Sequence, residues 1–63
     1  MRKHQQRKRR IIEEILDLEF IYQYAENEEL LNHLKLQYGY LNPFNISYEN
    51  LFKLRDDLYD NIF

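Results

Sequence analysis

The chain has 63 residues, of which 44% are hydrophobic and 32% charged, with a formal net charge of −2 and no cysteine. This length allows one small domain that buries only about 60% of its unfolded surface, so a second copy or another partner is an expected source of stability. The lack of cysteine excludes a disulfide framework and a thiolate nucleophile. The short apolar runs exclude a membrane span, and we expect a soluble, cytoplasmic protein.

The choice of residues predicts an all-α fold. Valine and threonine are absent, which leaves isoleucine as the only β-branched residue, whereas Leu, Glu, Lys, Arg and Gln are abundant. These abundant residues lose little rotamer freedom in a helix, and strands favour the missing ones.

Residues 1–10 form a basic N-terminal arm, and residues 11–63 form an acidic helical domain. The domain has three Lys or Arg against eleven Asp or Glu, a net charge of −8. The arm is a candidate phosphate-binding segment, and the alternative is a solvated tail paired through Arg9–Glu13 and Arg10–Glu14. Its six cations are Arg2, Lys3, Arg7, Lys8, Arg9 and Arg10.

Helical periodicity begins near residue 10 and predicts helices over about 10–25 and 27–38. Asn27 has the character of an N-cap, and Glu28 and Glu29 would follow it in an acidic first turn. A break near residues 25–27 gives a three-helix bundle. An unbroken helix would instead give a long–short helical hairpin that dimerises. We favour the break. The two apolar stripes contain Ile11, Ile12, Ile15, Leu16, Leu18, Tyr22 and Ala25, then Leu30, Leu31, Leu34, Tyr38 and Leu41.

Gly39 and Asn42-Pro43 end the second helix. In the loop that follows, Leu41 and Phe44 are expected to fold back over the end of the bundle. The alternative is that Tyr40 and Phe44 present their rings to a partner.

The segment from Tyr38 to Pro43 resembles the turn of the short helical-hairpin aspartyl-phosphate phosphatases of sporulating bacteria. It covers six residues. The Ser-x-x-x-Asp signature of that family has no counterpart, because the only serine, Ser47, is followed four residues later by Leu51. The phosphatase activity is therefore not carried over.

A third helix is predicted over about 47–62, with Ser47 as its N-cap. Glu19 and Arg55 each lie within an apolar face and are candidates for a structural ion pair between antiparallel helices. The alternative is that each side chain extends to the edge of its interface. The predicted apolar face contains Tyr48, Leu51, Phe52, Leu58, Tyr59, Ile62 and Phe63.

Catalysis is not expected, because His4 and His33 lie apart and no His pair, glycine-rich loop or cleft-forming mass accompanies them. We expect no enzyme activity, cofactor or metal. The favoured hypothesis is a helical protein-interaction regulator, such as an inhibitor, antirepressor or adaptor. The alternative is a nucleic-acid-binding protein that uses the basic arm on a dimeric body. Candidate partner-binding residues are Tyr40, Phe44, Arg55, Asp56, Asp57 and Asp60.

Overall fold

A computed structural model describes the chain over residues 3–42 and 45–62, with side chains from residue 7 onward. It contains three helices, α1 (Lys3–Tyr24), α2 (Glu28–Gln37) and α3 (Tyr48–Asp60), and the described residues include no strand. The all-α prediction and the break near residues 25–27 are both confirmed. The unbroken helix is not formed, so the dimer that it required no longer follows from the fold.

The same backbone motif ends α1 and α2. At the end of α1, Glu26 has a φ of 57°, and the Asn27 N–H donates to the Tyr22 carbonyl over 2.8 Å. At the end of α2, Gly39 has a φ of 70°, and the Tyr40 N–H donates to the Lys35 carbonyl over 2.7 Å. Both are Schellman motifs with a left-handed residue just after the helix. Two sharp reversals follow, one of them made without glycine.

The predicted arm is not separate from the body, because α1 begins at Lys3. The segment contains neither Gly nor Pro, so nothing in its sequence prevents the helix from continuing back toward the N-terminus. Tertiary contact also holds it, since Lys8 Nζ donates to the Ile46 carbonyl over 2.9 Å. The bounds of α2 and α3 lie within two residues of those predicted.

Helix α3 runs parallel to α1. Helix α2, which lies between them in the chain, runs in the opposite direction. Lys8 in the early part of α1 contacts Ile46, just before α3 begins. Near the other ends, the Tyr22 hydroxyl donates to the Leu58 carbonyl over 2.6 Å. The resulting up-down-up bundle measures 36 × 18 × 17 Å.

The core is entirely apolar among the described residues and lies between all three helices. Leu54, which the predicted face omitted, is completely buried, whereas Leu16 and Leu41 are 45% and 82% exposed. The predicted return of Leu41 over the bundle end is therefore wrong, and Ile46 is buried in this region instead. The core consists of Ile11, Ile12, Ile15, Leu18, Tyr22, Leu31, Leu34, Tyr40, Ile46, Leu51, Leu54 and Leu58.

Candidate partner-binding surface

One flank of α3 carries aromatic, cationic and acidic side chains at helical spacing, and we call it the α3 ridge. Positions three and four apart lie on the same side of a helix. Phe52 and Tyr59 keep 38% and 44% of their surface exposed, although each also borders the core face. The ridge consists of Phe52, Arg55, Asp56, Tyr59 and Asp60.

Arg55 is held in place at the centre of this ridge. Its guanidinium carbon lies 4.9 Å from the centre of the Phe52 ring, a cation–π distance. Its Nη1 lies 3.5 Å from Glu14 Oε2 on α1, and its Nη2 lies 3.3 Å from Asp56 Oδ1. The Phe52 ring is itself packed against Tyr48, with ring centres 4.9 Å apart. The arginine side chain is therefore oriented before any partner binds.

The candidate ion pair between Glu19 and Arg55 is not formed. Glu19 Oε1 instead lies 3.3 Å from Lys35 Nζ on α2. Glu14 and Glu19 are five residues apart, so α1 turns them about 140° away from each other, one toward α3 and one toward α2. The prediction assumed antiparallel packing of the first and last helices, and the parallel arrangement removes that geometry.

The three aspartates of the predicted acidic face have different environments. Asp56 and Asp60 are exposed. Asp57 is half-buried and accepts a hydrogen bond from the Tyr38 hydroxyl. That hydrogen bond, with smaller contributions from burial and from the negative charge of Asp57, raises the pKa of Tyr38. Asp57 therefore links α2 to α3, and the other two aspartates are the ones available to a partner.

Tyr40 is not an exposed aromatic residue. Only 7% of its surface is exposed, and Lys35 Nζ lies 5.5 Å from the centre of its ring. Burial, assisted by the nearby Glu19 carboxylate, raises the pKa of Tyr40 to about 12. The idea that this ring faces a partner is therefore wrong, and the same prediction for Phe44 lies outside the described residues.

The basic residues at the start of α1 are distributed around the helix. Arg7, Arg9 and Arg10 are exposed, and Lys8 is tied to Ile46 as described above. At 100° per residue, Arg7 and Arg9 point to nearly opposite sides. The solvated-tail alternative pairs Arg9 and Arg10 with acids four residues on, and these pairs are not among the ion pairs of the described residues. The prediction for Arg2 and for the Lys3 side chain lies outside these residues.

A second exposed apolar surface was missed by the sequence analysis. Leu16, Phe20 and Tyr24 are 45%, 69% and 93% exposed on α1. Their i, i+4, i+8 spacing is visible in the sequence, but the predicted core stripe includes Leu16.

The described residues offer little to small-molecule or metal chemistry. A cavity of about 70 Å³ lies between the ends of α1 and α3 and is lined by residues that include Ile21, Tyr22 and Ile62. Ligand pockets are typically several times larger. The described residues include no cluster of three metal-binding side chains, and none of the described helices is long and apolar enough to cross a membrane.

Comparison of the chain with protein-family models, curated proteins and solved structures gives no match.

Proposed function

We propose that this chain is a small helical interaction protein that regulates another protein by binding it through the α3 ridge, as an inhibitor, antirepressor or adaptor does. The observation that carries the proposal is the fixed position of Arg55 between Phe52, Glu14 and Asp56. Arginine and aromatic residues dominate binding energy at protein interfaces. A pre-oriented arginine also loses less conformational entropy on binding.

A basic surface is the chemistry that the ridge fits. The ridge and its neighbours carry four carboxylates, Glu14, Glu49, Asp56 and Asp60, against two cations. Arg55 pairs with Glu14 and Asp56, and Lys53 pairs with Glu49, so the surface has an acidic excess. Acidic groups around an aromatic centre favour a partner with Lys and Arg around an apolar pocket, because complementary potentials accelerate encounter and exclude wrong partners. The role requires no catalysis, cofactor or metal, and we place it in the cytoplasm.

Site-specific photocrosslinking in the native cell tests this proposal. A photoreactive phenylalanine analogue in place of Tyr59 is expected to yield a discrete adduct with one other protein. The same analogue at exposed His33 on α2 is the control and should yield no such adduct. The double substitution Asp56→Lys, Asp60→Lys should abolish the adduct, because it inverts the charge of the ridge.

A second control separates charge from position. Asn32→Lys with Gln37→Lys adds two lysines to exposed positions of α2 and should leave the Tyr59 adduct intact. Equal crosslinking from Tyr59 and His33, or an adduct that survives the inverted ridge, would rule out the α3 ridge as the binding surface.

Nucleic-acid binding through the start of α1 is the second candidate. It is favoured by three exposed arginines, Arg7, Arg9 and Arg10, for which the described residues provide no acidic partner within ion-pair distance. Against it, the arginines encircle the helix, and Glu13, Glu14 and Asp17 follow directly. A recognition surface normally presents its cations on one side.

Fluorescence anisotropy with labelled duplex DNA and single-stranded RNA distinguishes this candidate. The informative variant replaces all three arginines by glutamine, because deletion of residues 2–10 would also remove the Lys8 contact and two turns of α1. Micromolar binding that weakens steeply with salt and disappears in the triple variant would favour nucleic acid as the partner. Equally weak binding by the natural chain and the triple variant would show that the three arginines do not bind the nucleic acid.

A further inference from the structure

The exposed apolar residues of α1 form a continuous line, which we call the α1 stripe. It consists of Leu16, Phe20 and Tyr24, spaced four residues apart so that they lie above one another on one side of the helix. Phe20 and Tyr24 keep 69% and 93% of their surface in contact with solvent. Two large aromatic side chains and a leucine along about 12 Å of helix make an apolar surface without a partner in the monomer.

This stripe faces away from both the core and the α3 ridge. Phe20 lies about 160° around the helix from Tyr22, whose side chain is buried against α3. Glu14, which reaches Arg55, lies on the α3 flank of α1. A partner on the α1 stripe would therefore leave the ridge accessible.

Opposite charges lie at the two ends of the stripe. Arg9, which lies within about 20° of Phe20 around the helix, and Arg10 are exposed before it. Glu26, Glu28 and Glu29 are exposed just after it, in the turn to α2 and the first turn of α2. Residues 11–24 of α1, about 21 Å of helix, separate these clusters. The surface therefore has a positive end, an apolar centre and a negative end.

We propose that the α1 stripe binds the α1 stripe of a second copy of this chain, with the two helices antiparallel. In a two-fold arrangement, Leu16 and Phe20 of one copy pack against Phe20 and Leu16 of the other. The positive end of each copy then lies beside the negative end of its partner. A parallel arrangement brings like charges together at both ends, which costs free energy.

The dimer is expected to be weak. Three apolar residues from each copy form a small interface, of the size class typical of transient complexes. The two Asp17 side chains lie near the two-fold axis in this register and repel each other. Asp17→Asn is therefore expected to lower the dissociation constant of the dimer. If Asp17 acted only within its own copy, the substitution would leave this constant unchanged.

Sedimentation equilibrium of the full chain between about 5 and 500 μM measures this association. We expect a monomer–dimer equilibrium in the micromolar range that weakens as salt is raised, because the end-to-end charge contacts are exposed to solvent. Phe20→Glu should raise the dissociation constant at least tenfold. Leu36→Glu is the matched control, since Leu36 is 68% exposed but lies on α2, and should leave the constant unchanged.

A charge exchange tests whether the charged ends meet across the dimer. One variant carries glutamate at positions 9 and 10, and the other carries lysine at positions 26, 28 and 29. Each should self-associate poorly, whereas a mixture should form heterodimers, because each positive end then has a negative end opposite. Circular dichroism of every variant checks that the helices persist.

A distance measurement gives an independent test of the register. The natural sequence has no cysteine, so a spin label on Asn27→Cys is unique. Antiparallel packing about the midpoint of Leu16 and Phe20 places the two ends of α1 at Tyr24 about 18 Å apart along the helices, with the labels in the turns just beyond them. Parallel packing leaves the two turns side by side, about 10 Å apart. A monomer at all concentrations, a dimer indifferent to Phe20→Glu, or the shorter label distance would each overturn the proposal.

Discussion

Glu26 and Gly39 occupy equivalent positions, each in the left-handed region at the end of a helix. Glycine adopts this conformation without a Cβ penalty, whereas an L-residue with a side chain loses about 1–2 kcal/mol there. Glu26→Gly should therefore stabilise the fold by about 1 kcal/mol and Gly39→Ala should destabilise it by a similar amount. Urea denaturation followed by circular dichroism measures both changes.

The alanine substitution is a clean test because a Cβ built on Gly39 meets no atom within 4 Å. Any loss of stability therefore reports backbone conformation and not a steric clash. If Gly39→Ala were neutral, the left-handed turn would not limit the stability of the bundle.

Tyr40 makes the stability of the fold sensitive to alkaline pH. Its pKa is raised to about 12 in the folded chain from an ordinary value of 10.0. Between these values the unfolded chain loses the proton more readily, so the free energy of unfolding falls as pH rises from 10 toward 12. Absorbance of phenolate during a pH titration should show a tyrosine that ionises near pH 12, and Tyr40→Phe should remove that step.

The pKa of Tyr22 is also raised, mainly by burial and also by the charge of Asp57. Tyr22→Phe is therefore the comparison variant for the alkaline titration. It should leave the Tyr40 step in place. The assignment of the absorbance step near pH 12 to Tyr40 would be contradicted if this step were lost in Tyr22→Phe and retained in Tyr40→Phe.

At the scale of elements, the starts of α2 and α3 are stabilised differently. The Ser47 hydroxyl accepts a hydrogen bond from the Asn50 N–H over 3.2 Å, as an N-cap does, and this prediction is confirmed. Asn27 occupies the N-cap position of α2 without a side-chain hydrogen bond. Ser47→Ala should cost about 1 kcal/mol and Asn27→Ala only a few tenths. Thermal denaturation of both variants provides the comparison, and equal losses would refute the distinction.

The helices were predictable because their signals are local. Apolar periodicity, the N-cap at Ser47 and the glycine at position 39 each act within a few residues of chain. The start of α1 at Lys3 was missed because a cluster of cations at a helix N-terminus opposes the helix dipole. Lys8, near the start of α1, contacts Ile46, which lies 38 residues later in the chain. A contact over this separation cannot be inferred from local sequence.

At the scale of the whole molecule, the position of the core on α3 depends on where its neighbours pack. Leu54 is fully buried, whereas Phe52 keeps 38% of its surface exposed on the ridge. Leu54→Ala should cost about 3 kcal/mol because it leaves a cavity, and Phe52→Ala about 1 kcal/mol because it removes ring contacts at the surface. Urea denaturation measures both, and a larger loss for Phe52→Ala would show that the ridge belongs to the core.

The candidate site was partly predictable. Arg55, Asp56 and Asp60 were identified because polar side chains near an apolar face are visible in the helical pattern. Tyr40 was misassigned, since its burial depends on a turn that returns the chain onto the bundle. The predicted partner of Arg55 was also wrong. Glu14 and Glu19 are both on α1, and only the direction of α3 decides which of them lies close to Arg55.

The sequence by itself determined that this protein is helical, where its last two helices begin and end, and that its acidic and basic residues are segregated along the chain. These properties follow from rotamer preferences, capping and composition, which act locally. The tertiary structure decided that α3 runs parallel to α1, that Lys8, Tyr22 and Asp57 join distant elements, and that the α1 stripe remains outside. Each of these depends on the angular position of one helix against another, because a small rotation exchanges buried for exposed side chains.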